Sequence, residues 1–136
     1  MNEIEAAANC PCPPKGFKLE KEFQTWLGAK LTAAGWFYYK LPDTGFDYKP
    51  YDFDAVSLTG KHYHVECKAV EGTTCAFAAF RPQQVTCLRK IASLDPESAW
   101  CIVYSKQLNK FKAFKWADYE ASLDGNRTVR IWTFSS

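Results

Sequence analysis

The sequence predicts an α/β fold, a mixed central β-sheet flanked by helices in the order α-β-β-β-α-β-β. Two stretches, 17–34 and 82–94, carry apolar residues at the three- and four-residue spacing of amphipathic helices. Short alternating or apolar runs lie between and after them, as strands do. Hydrophobic residues make up 47% and aromatics 16% of 136 residues, enough for the packed core of one domain.

Residues 1–15 end in Cys-Pro-Cys-Pro-Pro-Lys, which cannot continue a helix and reads as an extended leader to a single domain over 16–136. Leu19, Phe23, Trp26, Leu27, Leu31 and Ala34 line one face of the first helix, and Gly35 stops it. Trp36 to Leu41 reads as a strand, followed by a turn-rich stretch from Pro42 to Pro50. Asp52 to Leu58 and His62 to Ala69 form a hairpin about Thr59-Gly60-Lys61. After a loop at Gly72-Thr73-Thr74, a second helix starts at Pro82 and runs to Leu94, with Val85, Leu88, Ile91 and Ala92 inward. Ala99 to Tyr104 suits a buried strand and Phe111 to Trp116 its antiparallel neighbour. Arg130 to Phe134 adds an edge strand.

Composition excludes little but is consistent. The formal charge of +2 only slightly favours a nucleic-acid partner. No apolar run approaches the ~20 residues of a membrane span, and Met1 to Ala8 lacks a basic signal region, so a cytoplasmic protein is expected. Of six cysteines, only Cys10 and Cys12 are close in sequence. With His62 or His64 they could bind zinc, but no second pair follows, and reduced thiols are the plainer reading.

Glu20 falls within about 20° of Leu27 and Leu31 on a helical wheel, inside the apolar stripe. A carboxylate there needs a partner or a metal. Alternatively, it sits at the helix start, solvated and favoured by the positive end of the dipole.

The hairpin concentrates charge. Side chains alternate along a strand, so Asp52 and Asp54 share one face of the first strand, and His62, His64, Glu66 and Lys68 one face of the second. A two-residue loop at Thr59-Gly60 would pair Asp52 with Cys67 and set these faces apart. A three-residue loop at Thr59-Gly60-Lys61, the register expected, pairs Asp52 with Lys68 and Asp54 with Glu66 and brings them together. Carboxylates beside a lysine suit Mg²⁺ and phosphoryl chemistry. They also suit a surface ion-pair ladder.

Four segments in order resemble the PD-(D/E)xK nuclease superfamily, and within it the RecU-like and archaeal-type Holliday junction resolvases, including small phage or prophage members. These are Gly16-Phe17-Lys18-Leu19-Glu20, Lys49-Pro50-Tyr51-Asp52-Phe53, Tyr63-His64-Val65-Glu66-Cys67-Lys68, and Thr73-Thr74 followed by Phe80-Arg81-Pro82-Gln83-Gln84. The likeness spans residues 16 to 104, with the motif proline displaced by one position. It implies a restriction-endonuclease-like core and a Mg²⁺-dependent endonuclease, with Mn²⁺ able to substitute. Asp52, Glu66 and the backbone carbonyl of Cys67 are then metal ligands, and Glu20 binds the metal or a water of its shell. Lys68 positions the attacking water, and Gln84 supports Lys68 or that water. Asp54 rivals Asp52 as the motif aspartate. Thr73 and Thr74 lie by the DNA phosphate.

Arg81 and Arg89 flank the second helix as candidate phosphate contacts. Basic and aromatic residues interleave at Lys106, Lys110–Trp116, Arg127, Arg130 and Trp132, which fits a strand-tracking surface or an amphipathic strand pair with a solvated lysine face. The resemblance implies branched DNA, a four-way junction, as partner, and a homodimer that places two sites on it. A restriction-like or repair nuclease on linear or damaged duplex, and a silent DNA-binding module of the same fold, are the alternatives.

Overall fold

The computed structural model describes residues 2–8, 13, 15–43, 49–123, 125 and 127–134. Its centre is a five-stranded mixed sheet, ordered β1-β2-β3-β5-β6, from strands Phe37–Lys40 (β1), Phe53–Val56 (β2), His62–Val70 (β3), Ala99–Ser105 (β5) and Lys110–Lys115 (β6). Only β3 and β5 pair in parallel; the other neighbours are antiparallel. A parallel pair requires a long crossover. That crossover carries the short strand Thr74–Ala76 (β4) and the helix Pro82–Leu94 (α3).

All seven residues of β5 are buried, because helices cover both faces of the sheet. On one face, Phe23, Leu27 and Leu31 of helix Glu20–Ala33 (α2) pack with Phe53, Val65, Ile102 and Tyr104. On the other, Val85 and Leu88 of α3 pack with Cys101, Val103 and Phe114, joined by Trp116 and Tyr119 from helix Trp116–Leu123 (α4). Gly28 lets α2 approach the sheet closely: a Cβ there would lie 2.6 Å from the Tyr38 ring. Gly35, at φ +90°, ends the helix as expected.

Several elements differ from the sequence expectation. The leader expected to be extended over 1–15 is helical at Glu3–Ala7 (α1). Asn2 accepts from the Glu5 amide and Glu5 accepts from the Asn2 amide, a reciprocal cap. Ile4 and Ala8 are buried in the α2-side core. Helix α4 continues directly from β6. The expected edge strand at Arg130–Phe134 is instead Thr128–Arg130 (β7) followed by a 3₁₀ turn, Ile131–Thr133. Strand β7 pairs with β4 in a separate two-stranded sheet.

The hairpin register also shifts. Phe53 pairs with Val65 and Asp54 with His64, so Asp52 falls opposite Glu66 rather than Lys68. The cause is a loop one residue earlier than expected. Ser57 N donates to Lys61 O at 2.9 Å, closing Leu58-Thr59-Gly60, with Gly60 at φ +84°. Moving the loop by one moves the pairing by two, so the shared acidic face survives. Among the described residues no helix is long and apolar enough to cross a membrane.

Candidate active site

The site forms where β2 ends and β3 continues. Beyond Phe53 the β3 backbone has no strand partner on that side among the described residues, yet its amides are satisfied. Cys67 N donates to Asp52 Oδ2 at 2.8 Å and Ala69 N donates to Glu20 Oε1 at 2.9 Å. Two carboxylates, one from the strand entrance and one from the first residue of α2, thus take over ladder positions. Glu20 does start its helix, but it is half-buried rather than solvated, and its Oε1 reaches the Ala69 amide.

Glu66 and Lys68 rise from the same stretch of β3. Glu66 is 1% exposed; its Oε2 lies 2.9 Å from Lys68 Nζ, and its buried Oε1 has no hydrogen-bond partner among the described residues. Burial, followed by the neighbouring Asp52, pushes its carboxyl up to about 8 against the pull of Lys68. Burial likewise raises Glu20, although Lys68 draws it down. For Lys68 itself burial acts downward, but Glu66, Glu20 and Asp52 outweigh it and the ammonium is held above its usual range. A lysine that stays charged beside an acid that readily holds a proton is an arrangement short of positive charge.

Gln84 closes the site from α3. Its Oε1 accepts from Arg81 N at 3.1 Å, capping the helix, and receives Lys68 Nζ at 3.4 Å. The Lys68 ammonium also lies 5.3 Å from the Phe80 ring centre. Glu20, Asp52, Glu66, Lys68, Arg81 and Gln84 all line one cleft of about 330 Å³. Lys21, Gln24, Lys40, Asp43 and Lys49 complete it. Of these, Lys49 lies 3.4 Å from Asp52 Oδ1.

The remaining expected residues lie elsewhere. Asp54 is 2.7 Å from His64 Nδ1, which also contacts Tyr51 Oη at 3.0 Å, so Asp52 rather than Asp54 faces the cleft. The Cys67 thiol is buried in the α2-side core, where burial raises it well above its usual range. Its carbonyl points to the same edge as its amide, toward Asp52. Thr73 and Thr74 are not cleft residues: Thr74 pairs with Arg130, and the Thr73 carbonyl accepts from Ile131 N. Arg89 is drawn away to Glu120 and the Phe77 ring. Phe111, Phe114 and Trp116 are buried, so β6 is an amphipathic strand and the segment is not a stacking surface. Cys10 and Cys12 lie outside the described residues.

Among the described residues no three His, Cys, Asp or Glu side chains gather closely enough to enclose a metal as they stand. The donor set nonetheless fits a hard dication. Two adjacent carboxylates, one with an orphaned buried oxygen, match an ion that takes one or two carboxylates and keeps its remaining positions for water and phosphate.

No family model and no curated protein matches the sequence. Among solved structures the chain is similar to Archaeoglobus fulgidus Hjc, a Holliday junction resolvase from an archaeal hyperthermophile. Identity is 15% and the TM-score 0.58, over 80% of this chain and 85% of that one. At that identity the likeness is one of fold: this chain has the mixed five-stranded sheet and flanking helices of that resolvase.

Proposed function

We propose that this protein is a nuclease of the PD-(D/E)xK superfamily, a divalent-metal-dependent, structure-selective DNA endonuclease that resolves four-way junctions. The observation that carries the reading is the buried Glu66 carboxylate beside Asp52, one oxygen paired to Lys68 and the other without a partner among the described residues, on a resolvase-like fold. Holding two carboxylates this close in a buried site raises the acid's pKa, and a cation shared between them would relieve that cost.

Asp52, Glu66 and the Cys67 carbonyl would hold Mg²⁺, with Glu20 at the margin of its shell. When bound, the ion supplies charge that stabilises the phosphoryl transition state and activates water. The chain's own groups do the rest. Asp52 is fixed by the Cys67 amide, and Glu20 by the Ala69 amide, so neither needs to reorganise. Lys68, restrained by Glu66 and Gln84, orients the attacking water against the scissile phosphate. Arg81, at the mouth of the cleft, contacts a neighbouring phosphate.

The test is cleavage of a labelled four-way junction in Mg²⁺, beside matched linear duplex and single strand. Paired symmetric nicks on the junction alone are expected, with Glu66→Ala and Lys68→Ala each losing at least about 10²-fold in rate. Equal cutting of linear duplex removes the junction preference and leaves a restriction-like or repair nuclease. Tight junction binding with no cleavage in Mg²⁺ or Mn²⁺ defines a silent module. Two cuts across a junction also require two sites, so a homodimer is part of the proposal. Phe37 and Tyr39, 60% and 51% exposed on edge strand β1, supply aromatic surface for it. Sizing with light scattering should give twice the 15.5 kDa chain mass.

A further inference from the structure

Both oxygens of Asp52 are already engaged. Oδ2 accepts from the Cys67 amide, and Oδ1 faces the Lys49 ammonium at 3.4 Å. Lys68 stands in the same relation to Glu66, at 2.9 Å. The two lysines are held differently, however. Lys68 rises from a central strand and is also restrained by Gln84 and the Phe80 ring. Lys49 lies in irregular chain three residues before Asp52, and its side chain is 18% exposed. A four-carbon stem in that setting can swing.

A divalent cation on Asp52 would sit roughly 2.1 Å from a carboxylate oxygen. An ammonium 3.4 Å from Oδ1 would then be within about 5.5 Å of a double positive charge, which is repulsive at any plausible dielectric. Lys49 must leave. The cleft is lined by five basic and four acidic side chains, close to balance. Adding a dication turns it into an anion site, and the anion that the proposed reaction brings is a DNA phosphate.

We infer that Lys49 is an exchangeable counter-ion. It neutralises Asp52 in the metal-free protein, yields that place to the divalent ion, and then takes the phosphate adjoining the scissile one. The inference rests on the metal-nuclease reading above and adds a residue to it. It makes metal and DNA binding mutually supportive, since each removes a cost of the other.

Two titrations test it, with Lys49→Gln to remove the charge and Lys49→Arg to keep it. The first follows Mn²⁺ binding without DNA, by the paramagnetic resonance of the free ion. Lys49→Gln should bind Mn²⁺ at least about threefold tighter than wild type, the size of effect expected for releasing a partly exposed ion pair. Lys49→Arg should bind as wild type does. The second measures junction affinity against salt, in a Lys68→Met background so that the strand is not cut. In Mn²⁺, Lys49→Gln should lower the logarithmic salt slope by about 0.9, one phosphate contact; in chelator the slope should not change.

Unchanged Mn²⁺ affinity in Lys49→Gln overturns the inference. So does an equal loss of slope in chelator and Mn²⁺, and so does Lys49→Arg behaving like Lys49→Gln. Wild type that binds no Mn²⁺, or binds it equally well after Asp52→Asn, sinks the metal-nuclease reading itself. Wild type whose binding depends on Asp52, with Lys49→Gln unchanged, sinks only the role of Lys49.

Discussion

At the scale of single residues, Glu66 contributes to how the protein responds to pH in chelator. Its carboxyl is pushed to about 8 in the fold, by burial first and then by Asp52, whereas a free glutamate titrates near 4.3. Between those values the folded chain holds a proton that the unfolded chain has lost. This contribution to stability is therefore complete at acid pH and disappears as pH rises through about 8. Glu66→Gln keeps the shape and removes the ionisation. In chelator it should melt above wild type at pH 8, by about 4 °C or more, with the gap closing at pH 5. Saturating Mg²⁺ at pH 8 should raise the melting temperature of wild type and not of the variant. Alternation put Glu66 and Lys68 on one face of their strand, but it left Asp52 and Asp54 equivalent and an ion-pair ladder as good a reading; the resemblance singled out Asp52, Glu66 and Lys68. Pro82 marked the helix start, but only the resemblance picked out Gln84 there. Lys21, Lys40 and Lys49 were not legible: they lie at element ends or in irregular chain, where no periodicity says which way a lysine turns. Arg89 was placed near the cleft by sequence position alone, without sight of Glu120, thirty-one residues later, which draws it off.

At the scale of elements, loop placement decided the register. Glycine 60 has to sit at a positive φ, and the loop that gives it one is Leu58-Thr59-Gly60. No atom lies within 4 Å of a Cβ built there, so Gly60→Ala isolates the backbone cost. It should destabilise by about 1–2 kcal/mol, read from chemical denaturation. Helix α1 escaped the sequence reading because five residues are too short to show a period; Asn2 and Glu5 at capping-box spacing were the one available signal. Helix α4 begins straight out of β6 with none of the usual N-cap residues before it, so the alternating pattern ran into it unbroken. The junction of β2 and β3 offers a sharper test. The Cys67 and Ala69 amides are protected by the Asp52 and Glu20 carboxylates. Asp52→Ala should speed hydrogen exchange at Cys67, and Glu20→Ala at Ala69, each leaving the other amide unchanged.

At the scale of the whole molecule, helix α1 joins regions that are distant in sequence. Glu5 Oε2 accepts from Ala113 N of edge strand β6, and Asn2 Nδ2 donates to Ala113 O. Glu3 accepts from the Tyr63 and Thr59 hydroxyls beside the β2–β3 hairpin. Glu5→Ala should cost about 1–3 kcal/mol, because it strands a buried amide, and should lower the thermal midpoint accordingly. The same stitching orders events in time. Asn2 and Glu5 have no partner on β6 until Ala113 has been synthesised, 111 and 108 residues later. While the polypeptide is still on the ribosome, α1 is an orphan with an apolar side, and the closing of such distant contacts is slow. Until Ala113 has been translated, the nascent chain therefore lacks the strand on which α1 closes.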